Sequence, residues 1–194
     1  MRYLINKHLQ EITEETATDS QDEVLEFLNF EQAKEFCKDL RYRKEFMRNL
    51  CESISYCKIE MLPDAIIGTL LIPDKQTPQS STISLIFYFE KQHLVIVDDE
   101  KHLSETMSLF LNEVFTSIND SYRLFFEFME SLIDGDTVLL QHYEKRLAIM
   151  EESLTDILPR ELNRNITTDR RELLIYRSYY QQMMDMFEIL SENI

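Results

Sequence analysis

Glycine is nearly absent from this sequence: its 194 residues contain two, Gly68 and Gly135. The phosphate-binding loops of nucleotide-binding proteins need several closely spaced glycines, because only a residue without a side chain lets the backbone approach a phosphate closely. A P-loop and a dinucleotide-binding fingerprint are therefore excluded.

Basic residues are also few. Lysine and arginine total 20 against 36 aspartate and glutamate residues, which gives a net charge of −16 at pH 7. Nucleic-acid phosphates need a positive surface, so this balance excludes nucleic acid as a partner. An acidic surface attracts cations, but it also keeps a protein soluble without any specific ligand.

Motifs for catalysis and for tight metal binding are missing. The three cysteines, Cys37, Cys51 and Cys57, are odd in number and lack Cys-x-x-Cys spacing, so they predict a reducing, cytosolic environment rather than a disulfide framework or a zinc knuckle. The four histidines lie far apart in sequence, and no serine stands in a nucleophile elbow. These observations predict a protein that is not an enzyme.

Long apolar runs are missing as well. The two longest uncharged runs are residues 65–73 and 76–89, whereas a membrane-spanning helix needs about 20 apolar residues. We therefore expect that none of these residues crosses a membrane.

The first part of the chain does contain clear strand and helix patterns. Alternating or short continuous apolar runs predict strands, and apolar steps of three and four predict helices. The predicted strands are one or two within residues 1–13, then 24–29, 56–61, 65–72, 81–89 and 93–97, and the predicted helices are 30–40, 42–53 and 103–115. The strands after residue 56 follow one another through short turns, which predicts an antiparallel meander.

The only concentrated basic patch begins just before the second predicted helix and continues into it. It consists of Arg41, Arg43, Lys44 and Arg48. In an acidic protein, such a patch is expected to pair with the protein's own carboxylates or with a neighbouring subunit.

Two apolar stripes dominate the last third of the chain. The first runs from Tyr122 to Ile157 in steps of four and three, and Asp136 alone interrupts it. A stripe with this 3.5-residue period predicts a helix that packs along a second helix. Over residues 120–157 the helix would be about 57 Å long, and Pro159 would end it.

The second stripe predicts the partner helix. Asn163 and Asn165 are expected in a loop, and Asp169 with Glu172 three residues later predicts a helix start. The stripe is still in phase at Ile194. We interpret this open seam as a sign that the chain was cut from a longer one or that a partner completes the seam.

Asp136 allows two interpretations. Carboxylates of the segment Asp134-Gly135-Asp136 can hold a hard cation such as Mg²⁺ or Ca²⁺ through oxygen ligands. Alternatively, a polar residue in an apolar seam sets the register of two helices by pairing with an arginine of the second helix. The arginines in range are Arg170, Arg171 and Arg177. We prefer the second interpretation. The tyrosines and methionines of residues 176–186 are expected to be core and interhelix contacts.

Several stretches resemble the CorA-like magnesium transporter family. Residues 56–74 (YCKIEMLPDAIIGTLLIPD) resemble its central strand pair, and residues 84–99 resemble its next hairpin. Residues 131–147 and 170–183 (RRELLIYRSYYQQM) resemble its first two stalk helices. The order and length of the elements carry this resemblance, since no single motif is diagnostic.

The resemblance implies an α+β fold with α/β/α layers. A mixed, largely antiparallel sheet flanked by helices would form a cytosolic domain over residues 1–118, and a long antiparallel helical hairpin would form a stalk over residues 119–194. The resemblance also implies a homopentamer that conducts divalent cations at the cytoplasmic face of the cell membrane. The family's third stalk helix, two membrane spans and Gly-Met-Asn motif are not among these residues, so we expect a soluble piece of a longer transporter, linked to the membrane only through those spans.

The resemblance also concerns metal sites. The family's regulatory Glu-Asp pair falls on Arg48 and Asn49 here, which removes its charge. Glu130 and Asp134 fall on or near acidic stalk positions of the family, so they join Asp136 as candidate metal-binding residues. The expected ion is Mg²⁺ or another divalent cation. The resemblance leaves the choice open, because the family's zinc-transporting, ZntB-like branch shares the same architecture.

Two functions follow from these patterns. The first is a gating and assembly role as the cytosolic domain of a CorA-like cation transporter. The alternative is a soluble helical-hairpin adaptor that binds a partner helix along the open seam and moves no ions.

Overall fold

The structure is a computed structural model that describes residues 1–6, 8–12, 22–98, 120–152 and 160–193. The strands in these ranges are β1 (Arg2–Asn6), β2 (His8–Ile12), β3 (Val24–Leu28), β4 (Lys58–Met61), β5 (Ala65–Pro73), β6 (Thr82–Glu90) and β7 (His93–Val97). The helices are α1 (Phe30–Phe36), α2 (Arg43–Cys51), α3 (Ser121–Ile133), α4 (Asp136–Glu152) and α5 (Arg160–Asn193), and a 3₁₀ turn (Cys37–Asp39) follows α1.

These strands form one mixed sheet with the order β2-β1-β3-β7-β6-β5-β4. β3 and β7 are parallel, whereas the other neighbours in the sheet are antiparallel. The predicted meander is confirmed, because β4, β5, β6 and β7 pair in chain order. The parallel pair joins this meander to the three N-terminal strands and makes the sheet continuous.

Side chains alternate between the two faces of the sheet, as the strand period requires. In β6, Leu85, Phe87 and Phe89 point to the core beneath α3 and α5. Ile86 and Tyr88 point to the opposite core, beneath α1 and α2. Both faces are therefore covered, which explains why the central strands are continuous apolar runs.

Helices on both faces produce the predicted α/β/α layers. α1 begins with a capping box, in which the side chain of Asn29 accepts a hydrogen bond from the Gln32 amide while the Gln32 side chain accepts one from the Asn29 amide. Phe46 of α2 lies edge-on to Tyr88 at a ring-centroid distance of 5.4 Å. The fold class inferred from the sequence is confirmed.

The prediction of one continuous helix over residues 120–157 is wrong. α3 ends at Ile133 and α4 begins at Asp136. Gly135 has a φ of 74°, a left-handed conformation that glycine adopts without the steric cost of a Cβ. Residues 153–157 lie outside the described part of the chain.

The predicted helix–helix seam is also wrong within α3. Tyr122 and Ile133, two members of the stripe, are exposed. α3 instead packs on the sheet, where Phe125 contacts Phe87 at a ring-centroid distance of 5.0 Å. Its buried side chains are Ser121, Leu124, Phe125, Phe128, Met129 and Leu132.

The predicted start of the second helix at Asp169 is wrong as well. α5 begins at Arg160, so Asn163 and Asn165 lie within the helix rather than in a loop. Pro159 precedes this start in the sequence, in keeping with the preference of proline for the beginning of a helix. At 34 residues, α5 is about 51 Å long.

Two sequence-based expectations are not tested by the structure. The helix predicted over residues 103–115 lies outside the described residues. The division into a domain at 1–118 and a stalk at 119–194 remains a prediction.

Candidate functional site

Asp136, the first residue of α4, carries a buried carboxylate whose side chain is 7% exposed. Lys75, from the loop between β5 and β6, places its Nζ 2.6 Å from Oδ1 of Asp136. The hydroxyl of Tyr180 on α5 donates a hydrogen bond of 2.9 Å to Oδ2. The predicted pairing of Asp136 with an arginine of the second helix is therefore wrong, since a lysine from the sheet side and a tyrosine take that place.

Lys75 also contacts the break between α3 and α4. Its Nζ donates a hydrogen bond of 2.7 Å to the main-chain carbonyl of Asp134. One ammonium group thus contacts both the residue before Gly135 and the residue after it. The break is fixed to the loop that follows β5.

A second ion pair joins α4 to α5 farther along the helices. Arg146 on α4 donates through Nε to Oδ2 of Asp169 at 3.1 Å and through a second nitrogen to the other carboxylate oxygen. The Asp169 side chain is 4% exposed, and Glu172 lies 3.7 Å from the same guanidinium. Tyr143 donates a hydrogen bond of 2.8 Å to Glu172.

These contacts establish that α4 and α5 are antiparallel. Asp136, Tyr143 and Arg146 ascend along α4, while their partners Tyr180, Glu172 and Asp169 descend along α5. We call this set the hairpin polar interface; its members are Asp136, Tyr143, Arg146, Asp169, Glu172, Tyr176 and Tyr180. The predicted antiparallel helical hairpin is confirmed for α4 and α5.

The tyrosines of this region are held in their neutral form. Burial raises the pKa of Tyr176 to about 12, and nearby carboxylates add to the effect. Burial, followed by the hydrogen bonds to Glu172 and Asp136, also raises the pKa of Tyr143 and that of Tyr180. The hydroxyls of Tyr143 and Tyr180 therefore donate hydrogen bonds to carboxylates, and none of the three tyrosines acts as an acid near neutral pH.

The loop between β5 and β6 is attached to α5 at several points. Tyr176 donates to the main-chain carbonyl of Asp74 at 3.3 Å, and Gln79 donates to Glu172 at 3.3 Å. At the edge of the sheet, Gln182 of α5 accepts a hydrogen bond of 2.7 Å from the amide of Cys57. The hairpin and the sheet are thus connected by polar contacts along one side.

The structure places the three candidate metal-binding residues in different environments. Glu130 and Asp134 have exposed side chains, whereas Asp136 is buried beside Lys75 and Tyr180. Among the described residues, no three His, Cys, Asp or Glu side chains are grouped so that they could hold a metal ion. A metal site at Glu130, Asp134 or Asp136 remains a prediction.

The basic patch pairs with the protein's own carboxylates, as predicted, at two of its members. Arg41 forms an ion pair with Asp64, and Arg48 forms one with Glu60 of β4. Asn49, where the family resemblance places an acidic residue, is buried and donates through Nδ2 to the carbonyl of Glu45 at 2.9 Å.

The sequence did contain a signal for the second ion pair. Asp169 and Glu172 lie seven and four residues before Tyr176, so they extend the buried stripe of α5 toward its start. Charged residues on a buried stripe need partners of opposite charge. Lys75 had no such signal, because it lies in a loop whose contact with α4 depends on the tertiary fold.

No protein-family model matches the sequence, and no curated protein matches it either. Solved structures do match. The full-length CmaX protein shares a TM-score of 0.75 and 13% identity over 97% of this chain and 62% of its own.

Two further relatives match over nearly the whole chain. The soluble domain of CorA from Methanocaldococcus jannaschii gives a TM-score of 0.72 at 12% identity over 100% of this chain and 80% of its own. The ZntB cytoplasmic domain from Vibrio parahaemolyticus gives 0.70 at 14% identity over 99% of this chain and 80% of its own. The complete CorA magnesium transporter of M. jannaschii also matches, with a TM-score of 0.71 and 12% identity. This chain spans 63% of its length.

The complete CorA protein in the last of these matches is a magnesium transporter. That this chain is not an enzyme stays a prediction. Within the described helices, none combines the length and the apolar character that a membrane span requires. The structural matches show that the chain has the fold of a CorA-like cytosolic domain, as its sequence resemblance implied.

Proposed function

We propose that this chain is the cytosolic domain of a CorA-like divalent cation transporter, where it serves in gating and assembly. The observation that carries the proposal is the match to the CorA soluble domain over 100% of the chain, helical hairpin included. The strand meander and the hairpin are the same parts of the sequence that resemble this family.

The contacts between sheet and hairpin support a gating role. A change in the sheet at the β5–β6 loop reaches α4 through Lys75 and Asp136, and it reaches α5 through Tyr176 and Glu172. We propose that cation-dependent movement of the sheet domain is passed along the hairpin toward the membrane by this route.

Mg²⁺ is the proposed ion. The net charge of −16 raises the concentration of cations near the surface, and Glu130 and Asp134 have exposed carboxylates that a hydrated Mg²⁺ can approach. Zn²⁺ is the alternative ion within this proposal, because the ZntB cytoplasmic domain is nearly as similar to this chain as the CorA soluble domain is.

Self-association into a homopentamer at the cytoplasmic face of the cell membrane completes the proposal. Several large apolar side chains on α4 and α5 are exposed, and they offer a surface for another helix: Val138, Ile149, Leu174 and Met184. The same observation favours the second candidate function, an adaptor that binds a partner helix and moves no ions.

The reading frame that encodes this chain separates the two functions. We expect it to continue into two apolar segments of about 20 residues, with a Gly-Met-Asn motif after the first. A frame without such segments, together with binding of a helical peptide to the exposed side of α4 and α5, would support the adaptor instead.

A further inference from the structure

A second polar site lies beside α2 and β5. It is a cleft of about 270 Å³, and none of its lining residues belongs to the hairpin polar interface. Asn49, from the last turns of α2, and Thr69 of β5 are its buried members. The connection from α2 to β4 contributes Glu52 and Tyr56, and β4 contributes its first residue, Lys58.

Asn49 presents an unused hydrogen-bond acceptor there. Its side chain is 1% exposed, and Nδ2 donates to the carbonyl of Glu45 at 2.9 Å. This bond fixes the orientation of the amide, because a flipped amide would set two oxygens against each other. Within the described part of the chain, Oδ1 has no hydrogen-bond partner.

A buried carbonyl oxygen without a donor is unusual. More than about 90% of buried polar groups in proteins are hydrogen-bonded, so each exception calls for an explanation, such as a bound water, ion or other ligand. Because Nδ2 is held by its own helix, Oδ1 is the side-chain atom of Asn49 that lacks a partner. It is buried at the wall of the cleft, and a ligand contacts it through a small movement of that wall. A ligand for this cleft therefore carries an N–H or O–H donor.

Opposite charges lie side by side at the cleft. Nζ of Lys58 is 3.2 Å from a carboxylate oxygen of Glu52, and it lies 5.8 Å from the centroid of the Tyr56 ring. The Glu52 side chain is 54% exposed, and the Tyr56 ring is exposed too. Both charges are accessible to a ligand, and the ring offers an apolar surface beside them.

This combination selects among ligand classes. The ammonium of Lys58 disfavours a divalent cation, and the carboxylate of Glu52 disfavours an anion such as phosphate. A molecule that carries both charges satisfies both groups at once. We propose that this cleft binds a free α-amino acid with a small side chain, whose ammonium donates to Asn49 Oδ1 and faces Glu52 while its carboxylate faces Lys58.

The remaining groups fit this ligand. Ser53 and Ser55 line the same cleft, and a serine hydroxyl can donate a hydrogen bond to the carboxylate. A small side chain such as that of alanine or serine packs against the Tyr56 ring. The proposal stands apart from cation transport, so it is tested without reference to transport.

The test is a calorimetric and NMR titration of the purified chain with L-serine. Three compounds test which charged group of L-serine is needed for binding. Ethanolamine lacks the carboxylate, N-acetylglycine lacks the ammonium, and glycerol lacks both charges. We expect saturable binding of L-serine and at least about tenfold weaker binding of each probe, since a hydrogen bond to a charged group contributes about 1.5–3 kcal/mol and 1.4 kcal/mol corresponds to tenfold.

The variants Asn49→Leu, Glu52→Gln and Lys58→Met are each expected to weaken L-serine binding by about tenfold or more. Lys38→Met is the matched control, because Lys38 of the 3₁₀ turn forms a similar exposed ion pair with Glu35 of α1. Asn49→Leu should also melt no lower than the wild type, since it removes an unsatisfied carbonyl.

Three outcomes overturn the proposal: no saturable response to L-serine at tens of millimolar, equal binding of glycerol, or wild-type affinity in the Glu52→Gln and Lys58→Met variants. These two variants change exposed or half-exposed side chains, so they keep the test decisive if Asn49→Leu does not fold.

Discussion

At the scale of single residues, Asp136 links three parts of the molecule. It begins α4, it accepts a hydrogen bond from Tyr180 of α5, and it pairs with Lys75 of the β5–β6 loop. A carboxylate this well buried is stable only while both partners compensate for the water that it has lost. Its substitution therefore tests the junction of sheet and hairpin.

We expect Asp136→Leu to lower the free energy of unfolding by about 1–3 kcal/mol, because it leaves the Tyr180 hydroxyl and the Lys75 ammonium without their acceptor. Urea denaturation followed by circular dichroism measures the change. Asp134→Asn, which alters an exposed carboxylate two residues away, should stay within about 0.5 kcal/mol of the wild type. A urea midpoint for Asp136→Leu at or above that of the wild type would mean that the two contacts contribute nothing.

Gly135→Ala tests the break between α3 and α4. A Cβ at this position would meet no atom within 4 Å, so its cost arises from the φ of 74° alone. We expect a loss of about 1 kcal/mol in the free energy of unfolding. A continuous helix would give the opposite sign, since alanine exceeds glycine in helix propensity by about 1 kcal/mol. Stabilisation by this substitution would contradict the broken geometry.

At the scale of elements, strands could be predicted from the sequence far better than the ends of helices. β5 and β6 are apolar runs bounded by turn residues, and the sheet buries them on both faces, so local pattern and tertiary environment agree. A Cβ on Gly68 would lie 2.2 Å from Phe87 Cζ, which explains the one glycine within these strands.

The helices were harder to predict because their environments change along the chain. The stripe from Tyr122 onward continues through Gly135, although α3 packs on a sheet and α4 packs on a helix. The first turns of α5 are largely polar, so no apolar period indicated them. In the candidate site, Asp136 could be identified from the sequence because it is the one charged residue in an apolar stripe. Its partners Lys75 and Tyr180 could not, because they come from segments distant in the sequence.

The tyrosines between the elements predict the response to high pH. Burial raises the pKa of Tyr143, Tyr176, Tyr179 and Tyr180 above the usual value, and that of Tyr176 is about 12. The unfolded chain releases these protons near pH 10, whereas the folded chain retains them. The stabilisation is therefore complete below about pH 10 and is lost as the pH rises beyond it.

In an alkaline titration, exposed tyrosines such as Tyr56 ionise first. We expect the later rise of tyrosinate absorbance, from the buried tyrosines, to coincide with the loss of helical circular dichroism. Tyr176→Phe should shift this transition to higher pH, because it removes one ionisable group from the interface. Tyr56→Phe, at an exposed ring, is the control and should leave the transition where it is. Full tyrosinate absorbance before any change in circular dichroism would contradict the buried tyrosines.

At the scale of the whole molecule, the charge of −16 is not organised into a metal-binding group among the described residues. We propose that divalent cations act on an assembly, in which carboxylates of neighbouring copies meet. The isolated chain lacks those neighbours. Its response to Mg²⁺ should then be that of a diffuse acidic surface.

We expect millimolar MgCl₂ to raise the melting temperature only slightly, and NaCl at matched ionic strength to reproduce much of the rise. A specific site at 100 times its dissociation constant would add about 2.7 kcal/mol, or roughly 5–11 °C for a chain of this size. A Mg²⁺-specific rise above about 5 °C would show that the isolated chain has a site, and Glu130→Gln and Asp134→Asn would then locate it.

The most direct measurement of the proposed function is divalent cation flux through the complete encoded protein in liposomes that contain a Mg²⁺-sensitive dye. We predict saturable Mg²⁺ entry that requires the protein. We also predict a changed dependence of that entry on internal Mg²⁺ in Lys75→Met, which loses the ion pair between the β5–β6 loop and α4. A folded, pentameric protein that conducts neither Mg²⁺ nor Zn²⁺ would contradict the proposal.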